Sequence, residues 1–186
     1  MGLINLMGKN NISFILHKPQ LSENIGACAR GMKNFDFKKL ILINPRPIFP
    51  NDKILATSVG AKAIVNKAEV YNNLEQSIEK IDILIATSAR FRNKNIKHIS
   101  LEGLKKIDFK KKIGFLFGSE ASGLSNNEIS YANYTLQIPT NLEFRSLAPT
   151  DVAKILSFGK IGFGFITINF LNLKFFIALA QAPMFS

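Results

Sequence analysis

Five short apolar runs constrain the fold of this chain before any single residue is considered. They are residues 12–16 (Ile-Ser-Phe-Ile-Leu), 39–43 (Lys-Leu-Ile-Leu-Ile), 81–86 (Ile-Asp-Ile-Leu-Ile-Ala), 113–117 (Ile-Gly-Phe-Leu-Phe) and 134–138 (Tyr-Thr-Leu-Gln-Ile). Runs of this length, rich in β-branched residues, read as strands, and their nearly continuous apolar character marks strands covered on both faces. Helical patterns lie between them. Ser22 is placed to cap a helix whose Ile25, Ala29 and Met32 share one face. Residues 51–63 look helical with Gly60 as a break, and residues 70–80 carry Val70, Leu74 and Ile78 at helix spacing. Ser125, with Glu128 three residues on, forms a capping-box pattern for a short helix over 125–131. A last helix is expected over 149–158, with Pro149 or Thr150 near its start. Strands alternating with helices predict an α/β fold with a mainly parallel sheet and helices on both faces. Ligands of such folds bind beyond the carboxyl ends of the strands, so the loops after residues 86, 117 and 138 are the places to search.

The chain has 186 residues, enough for one domain with a sizeable core. Lys and Arg total 24 against 13 Asp and Glu, a formal charge of +11, which favours a polyanionic partner such as RNA. The lysines cluster as Lys38-Lys39, Lys105-Lys106 and Lys110-Lys111-Lys112, whereas Arg30, Arg46, Arg90, Arg92 and Arg145 stand isolated. Lysine runs suit loose phosphate attraction and single arginines suit defined bidentate contacts, so each retained arginine is of interest. One cysteine, Cys28, and two histidines, His17 and His98, leave little material for a disulfide framework or a metal site. Cys28 lies in a run of small residues and reads as a buried filler. Residues 1–11 lack the long apolar stretch of a signal peptide, so a reduced, cytoplasmic protein is expected. Composition shifts after Lys160: residues 161–186 are rich in Phe, Ile and Gly, with Lys174 as their only charge. That segment is interrupted by Gly162, Gly164, Asn169 and Asn172 and makes a poor membrane span, so no membrane association is expected. The reading is a domain over 1–160 followed by an atypical apolar segment, 161–186, that forms a dimer-face helix or an altered tail.

Three blocks hold polar residues where a site should be. The first is Pro19-Gln20-Leu21-Ser22-Glu23-Asn24-Ile25-Gly26-Ala27-Cys28-Ala29-Arg30, in which Gly26 and the alanines permit close backbone approach. The second is Phe117-Gly118-Ser119-Glu120-Ala121-Ser122-Gly123-Leu124, directly after a strand, without the Gly-Lys-Ser/Thr of a phosphate loop. The third is Ile138-Pro139-Thr140-Asn141-Leu142-Glu143-Phe144-Arg145-Ser146-Leu147-Ala148. A smaller piece, Thr87-Ser88-Ala89-Arg90-Phe91-Arg92, puts two arginines around an aromatic ring, a pattern suited to phosphate contact and base stacking. Taken singly, the blocks read equally well as an amphipathic helix, a tight turn and a polar loop.

In this order and placement, the three blocks resemble the SpoU/TrmH family of RNA ribose methyltransferases, within the SPOUT superfamily, over residues 12–158. The matching cores are Asn24-Ile25-Gly26 with Arg30, Phe117-Gly118 with Glu120 and Gly123-Leu124, and Ile138-Pro139 with Ser146-Leu147. The Thr87-to-Arg90 piece looks most like the branch that acts on the anticodon loop of tRNA. The resemblance implies a deep C-terminal trefoil knot, S-adenosyl-L-methionine as methyl donor, a homodimer, and tRNA or rRNA as partner. It implies a cofactor site at Thr87, Ser88, Ala89, Gly118, Ile138, Arg145, Ser146 and Leu147. It also implies a ribose site at Asn24, Arg30, Glu120 and Ser146, with Arg30, Arg90 and Arg92 against the RNA. The family gives the activating role to the arginine matched by Arg30. A guanidinium stays protonated, so Arg30 is read as clamping the target phosphate and steering the hydroxyl proton toward it. Asn24 is expected to position Arg30, and Glu120 to fix the neighbouring loop. One departure is Ala148, followed by Pro149, where the family carries Asn after Ser-Leu. It motivates an alternative reading as a catalytically impaired RNA-binding relative. An unrelated doubly wound nucleotide-binding domain is the third possibility.

Overall fold

A computed structural model describes residues 9–88, 96–100 and 103–136 of the protein. After a 3-10 turn at Lys9–Asn11, strand β1 (Ile12–His17) leads into helix α1 (Ser22–Asn34), and strand β2 (Lys39–Ile43) follows. Two short helices, α2 (Asp52–Thr57) and α3 (Lys62–Asn66), come next, then strand β3 (Glu69–Tyr71) and helix α4 (Leu74–Ile78). Strands β4 (Ile83–Thr87), β5 (Lys97–Ile99) and β6 (Ile113–Phe117), helix α5 (Asn126–Ser130) and strand β7 (Tyr134–Leu136) complete the described elements. The seven strands form one sheet in the order β3-β2-β1-β6-β4-β7-β5, with every pairing parallel.

Strand alternation divides the core between two faces. Ile12, Phe14 and Leu16 point to one side, where they meet Ile25, Cys28 and Met32 of α1, Ile54 of α2, and Ile64 and Val65 of α3. Ile15 points to the other, with Leu74 of α4, Leu124, and Ile129 of α5. Phe14 is fully buried, with its ring centroid 5.2 Å from Phe37 and 5.9 Å from Phe117. Burying such a ring contributes about 2–3 kcal/mol. Gly26 allows α1 and α2 to touch: a Cβ there would fall 2.0 Å from Thr57 Oγ1 and 2.7 Å from the Ile54 carbonyl oxygen. The close approach expected at Gly26 is therefore to α2. Burial pushes the Cys28 thiol up to about 12, in keeping with a filler.

Several expectations change. Ser22 is the first helical residue and the N-cap position is Leu21; the Ser22 hydroxyl instead accepts from Asn51 Nδ2 at 3.0 Å. Residues 70–80 are not one helix, because Val70 pairs with Leu42 in β3 and Asn73 caps α4 by accepting from the Gln76 amide at 3.0 Å. The 51–63 helix is two helices, parted by Gly60 at φ +75°. β5 had no apolar run to announce it; its Lys97 and His98 are exposed, as suits an edge strand. The capping box at Ser125 and Glu128 is present as expected. No helix among the described residues is long and apolar enough to cross a membrane. The helix over 149–158, the segment 161–186 and the knot fall outside the described residues.

Candidate active site

β1 and β6 are neighbours, yet the chain leaves them in opposite directions, into α1 on one face and α5 on the other. That divergence opens a crevice at their carboxyl ends, the usual ligand position in an open α/β sheet. Two of the expected blocks meet there. Asn24, in the first turn of α1, donates from Nδ2 to Glu120 Oε1 at 2.7 Å. The Gln20 amide donates to Glu120 Oε2 at 2.8 Å. Both carboxylate oxygens are thus engaged, one by the first turn of α1 and one by the loop after β1, and charge-assisted bonds of this length are among the stronger ones.

The loop that presents Glu120 is held from within. The Gly123 amide donates to the Ser119 carbonyl at 2.8 Å, the Ser122 amide donates to Ser119 Oγ at 3.3 Å, and the two hydroxyls lie 2.8 Å apart. Gly123 sits at φ +67°, where glycine is favoured. A Cβ on Gly118 would fall 2.2 Å from the Gly123 carbonyl carbon. These glycines close the turn that raises Glu120.

Thr87 and Ser88, at the end of β4, lie beside β6 on one side and β7 on the other. Thr87 Oγ1 donates to the Leu116 carbonyl at 3.0 Å, and the Ser88 amide donates to the Leu136 carbonyl at 3.1 Å. Thr87, Ser88 and Gly118 therefore share one rim of the sheet. Ala89, Arg90, Arg92, Ile138, Arg145, Ser146, Leu147 and Ala148 lie outside the described residues.

Arg30 is not brought to Asn24. The two are six residues apart, about 9 Å along the helix axis and on different faces. Asn24 turns to Glu120, while the exposed Arg30 makes no hydrogen bond or ion pair among the described residues.

Gln20, Arg46 and His17 join this end of the sheet without having been expected as site residues. Gln20 donates from Nε2 to the Lys18 carbonyl at 3.0 Å and accepts from Arg46 Nη1 at 3.2 Å. Arg46 is anchored by its own amide, which donates to the Pro19 carbonyl at 3.0 Å. His17, at the end of β1, lies 3.3 Å from Glu128 through Nδ1, and Lys18 Nζ lies 3.5 Å from the same carboxylate. Burial holds His17 below its ordinary value although Glu128 pulls it upward. For Glu128, burial alone would raise the carboxyl, but the Ser125 amide and the neighbouring His17 and Lys18 outweigh it and hold it low. Arg46 is one of the isolated arginines of this lysine-rich chain, which is the one signal that marks it. Nothing in the sequence marks the His17–Glu128 pair, whose partners are over a hundred positions apart.

A family model described as the SpoU rRNA Methylase family matches residues 11–156. The tRNA (cytidine-2'-O-)-methyltransferase TrmJ of Methanocaldococcus jannaschii is 35% identical over 138 residues, 72% of this chain and 60% of that protein. The crystal structure of TrmJ from Z. mobilis superimposes with a TM-score of 0.74 at 30% identity, covering 80% of this chain and 69% of that one. The fold recurs in the SpoU methyltransferase AviRb from Streptomyces viridochromogenes, solved in complex with AdoMet, at a TM-score of 0.59 and 20% identity over 78% of this chain and 57% of that one. The chain spans about three fifths of the length of the curated relatives it matches.

Proposed function

This chain belongs to the SpoU rRNA Methylase family, and we propose that it transfers a methyl group from S-adenosyl-L-methionine to a ribose 2′-hydroxyl of tRNA, at a nucleotide of the anticodon loop. The observation that carries the reading is the junction of the first and second blocks at the β1–β6 crevice, through Asn24, Gln20 and Glu120. An rRNA target would need the same chemistry; tRNA is preferred because the TrmJ relatives carry tRNA names, although a relative of like similarity is named a tRNA/rRNA methyltransferase.

The residues present suit the donor by their placement. Thr87, Ser88 and Gly118 share the rim formed by three adjacent strands, with backbone groups close at hand. They would hold it together with Ala89, Ile138, Arg145, Ser146 and Leu147, in loops that a trefoil knot would draw around it. When bound, S-adenosyl-L-methionine supplies a methyl already activated by its sulfonium. The rest falls to the protein. A ribose hydroxyl must be aligned and relieved of its proton. Arg30 remains a cation, so it acts as a clamp on the target phosphate and directs the hydroxyl proton toward that phosphate. Glu120 fixes the entry of α1 through Asn24 and Gln20, which orients the helix carrying Arg30. Ser146 contributes a hydrogen bond in the ribose pocket, and Arg90 and Arg92 hold flanking RNA. The working unit is a cytoplasmic homodimer, with residues 1–160 as the catalytic domain and 161–186 at the dimer face.

The test is methyl transfer from labelled donor to unfractionated tRNA, followed by nucleoside analysis. Label is expected in 2′-O-methylated nucleosides, and Arg30→Ala is expected to lower the rate by about 10²-fold or more. Ala148, in place of the family's Asn, favours a second reading, an RNA-binding relative without turnover. Binding of tRNA with no incorporation into tRNA or rRNA would select that reading.

A further inference from the structure

Arg46 sits in the loop after β2, flanked by Pro45 and Pro47, which restrict the local backbone. Its amide is fixed to the Pro19 carbonyl, so the base of the side chain is held against the loop after β1. Nη1 donates to Gln20 Oε1, and the amide of that same Gln20 donates to Glu120. One residue thus separates the Arg46 guanidinium from the carboxylate that anchors Asn24. Two lysines of neighbouring segments are paired: Lys18 faces Glu128 at 3.5 Å and Lys53 faces Glu23 at 2.6 Å. Arg46 has no carboxylate partner among the described residues, and it is exposed. A guanidinium carries five N–H donors in a planar fork. One is spent on Gln20, and the remaining fork is open to solvent. A fixed, unneutralised guanidinium with free donors matches the geometry of a phosphate.

We infer that Arg46 is a phosphodiester-binding residue, holding a backbone phosphate of the RNA beside the nucleotide that enters the β1–β6 crevice. The inference rests on the proposed function and adds a contact to it, distinct from Arg30. Gln20 then has two duties. It steadies Glu120 through its backbone, and through its side chain it aims the Arg46 fork.

Equilibrium binding of the full-length protein to fluorescently labelled unfractionated tRNA, without methyl donor and across a salt series, tests this directly. A residue that neutralises one phosphate steepens the dependence of log K on log salt by about one. Arg46→Ala is expected to weaken binding on the order of tenfold at low salt and to flatten that slope by about one. Arg46→Lys is expected to keep the slope while losing part of the affinity, because it retains the charge and loses the fork. Thermal stabilisation by S-adenosyl-L-methionine is expected to be the same in all three proteins. An Arg46→Ala protein that binds tRNA with unchanged affinity and slope overturns the inference. So does one whose slope is unchanged while its response to the donor is lost, because Arg46 would then act only as a prop for Gln20. If the wild-type chain neither binds nor methylates RNA, the functional reading itself fails, a result separable from either of these.

Discussion

The two ends of the parallel sheet use similar residues differently. At the amino end, polar side chains close the main chain. Asp82 Oδ2 accepts from the Lys112 amide at 2.7 Å, Asn133 Oδ1 accepts from the Leu84 amide at 2.7 Å, and Asn11 Nδ2 donates to the Lys110 carbonyl at 3.0 Å. The lysines at or just before the strand starts there, Lys38, Lys39, Lys80 and Lys110 to Lys112, are exposed, and the one ion pair found among them joins Lys38 to Asp36 at 3.7 Å. At the carboxyl end, side chains bond to side chains across segments that belong to different strands and their following helices: Asn24 to Glu120, Arg46 to Gln20, His17 to Glu128. Satisfying backbone groups is something every sheet end must do. Joining separate loops through charged side chains costs conformational entropy and desolvation, and needs a further reason to persist. That contrast supports the proposed site at the carboxyl end and a structural role for the amino end.

The sharpest way to break the contrast is Glu120→Gln. Asn24 Nδ2 and the Gln20 amide meet different carboxylate oxygens, and the substitution replaces one of those oxygens with an NH2, so one of the two donors would face another donor. A bond to a charged acceptor is worth about 1.5–3 kcal/mol. The expected result is a ten- to hundredfold fall in methyl transfer, at that range and about 1.4 kcal/mol per decade. Because Glu120 is exposed, the melting temperature is expected to change by only a few degrees. A variant that loses stability and keeps its rate would make the carboxyl end as structural as the amino end.

How much of this arrangement the sequence announces depends on burial. β1 and β6 lie mid-sheet and are buried throughout, so their apolar runs stand out. β3 and β5 are edge strands, and exposed Glu69, Val70, Lys97 and His98 give them no run to read. Val70 even falls at helix spacing with Leu74 and Ile78, and only its pairing with Leu42 decides its state. Asn24 and Glu120 could each be picked out from the block in which they sit. Their bond could not, because 96 positions separate them and no spacing rule reaches that far. Gln20 lies within the first block without standing out, since half of its contribution is made by its backbone amide, which any residue but proline possesses.

At the amino end, Asp82→Ala is the matching experiment. It leaves the Lys112 amide without its acceptor, but that amide is near solvent and water can replace the carboxylate. The expected cost is about 0.5–1.5 kcal/mol of stability, measured by urea unfolding, with the methyl-transfer rate unchanged. A large loss of activity would show that the amino end communicates with the site, and the division between the two ends would fall.

The smallest expected effect lies at another pair of the carboxyl end, His17–Glu128. Burial holds the His17 imidazole below its ordinary value of 6.5, the value the unfolded chain retains. At higher pH both states are neutral at His17. As pH falls through 6.5 the unfolded chain takes up a proton that the folded protein resists, so stability declines from there down to the folded value. Glu128 acts in a lower window. Its carboxyl lies below the ordinary 4.5, so its contribution holds above that pH and is lost as pH drops through the folded value. The two windows can therefore be separated. Between about pH 7.5 and about pH 5.5, His17→Gln is expected to reduce the fall in melting temperature by about one to two degrees. Gln keeps an amide donor for Glu128, so α5 should remain in place and methyl transfer at the higher pH should be unchanged. If the variant shows the same pH dependence as the wild type, His17 is not the group that titrates. If its rate falls at the higher pH as well, the polar pairs of the carboxyl end act as one unit, extending from Glu128 of α5 to Glu120 in the loop after β6.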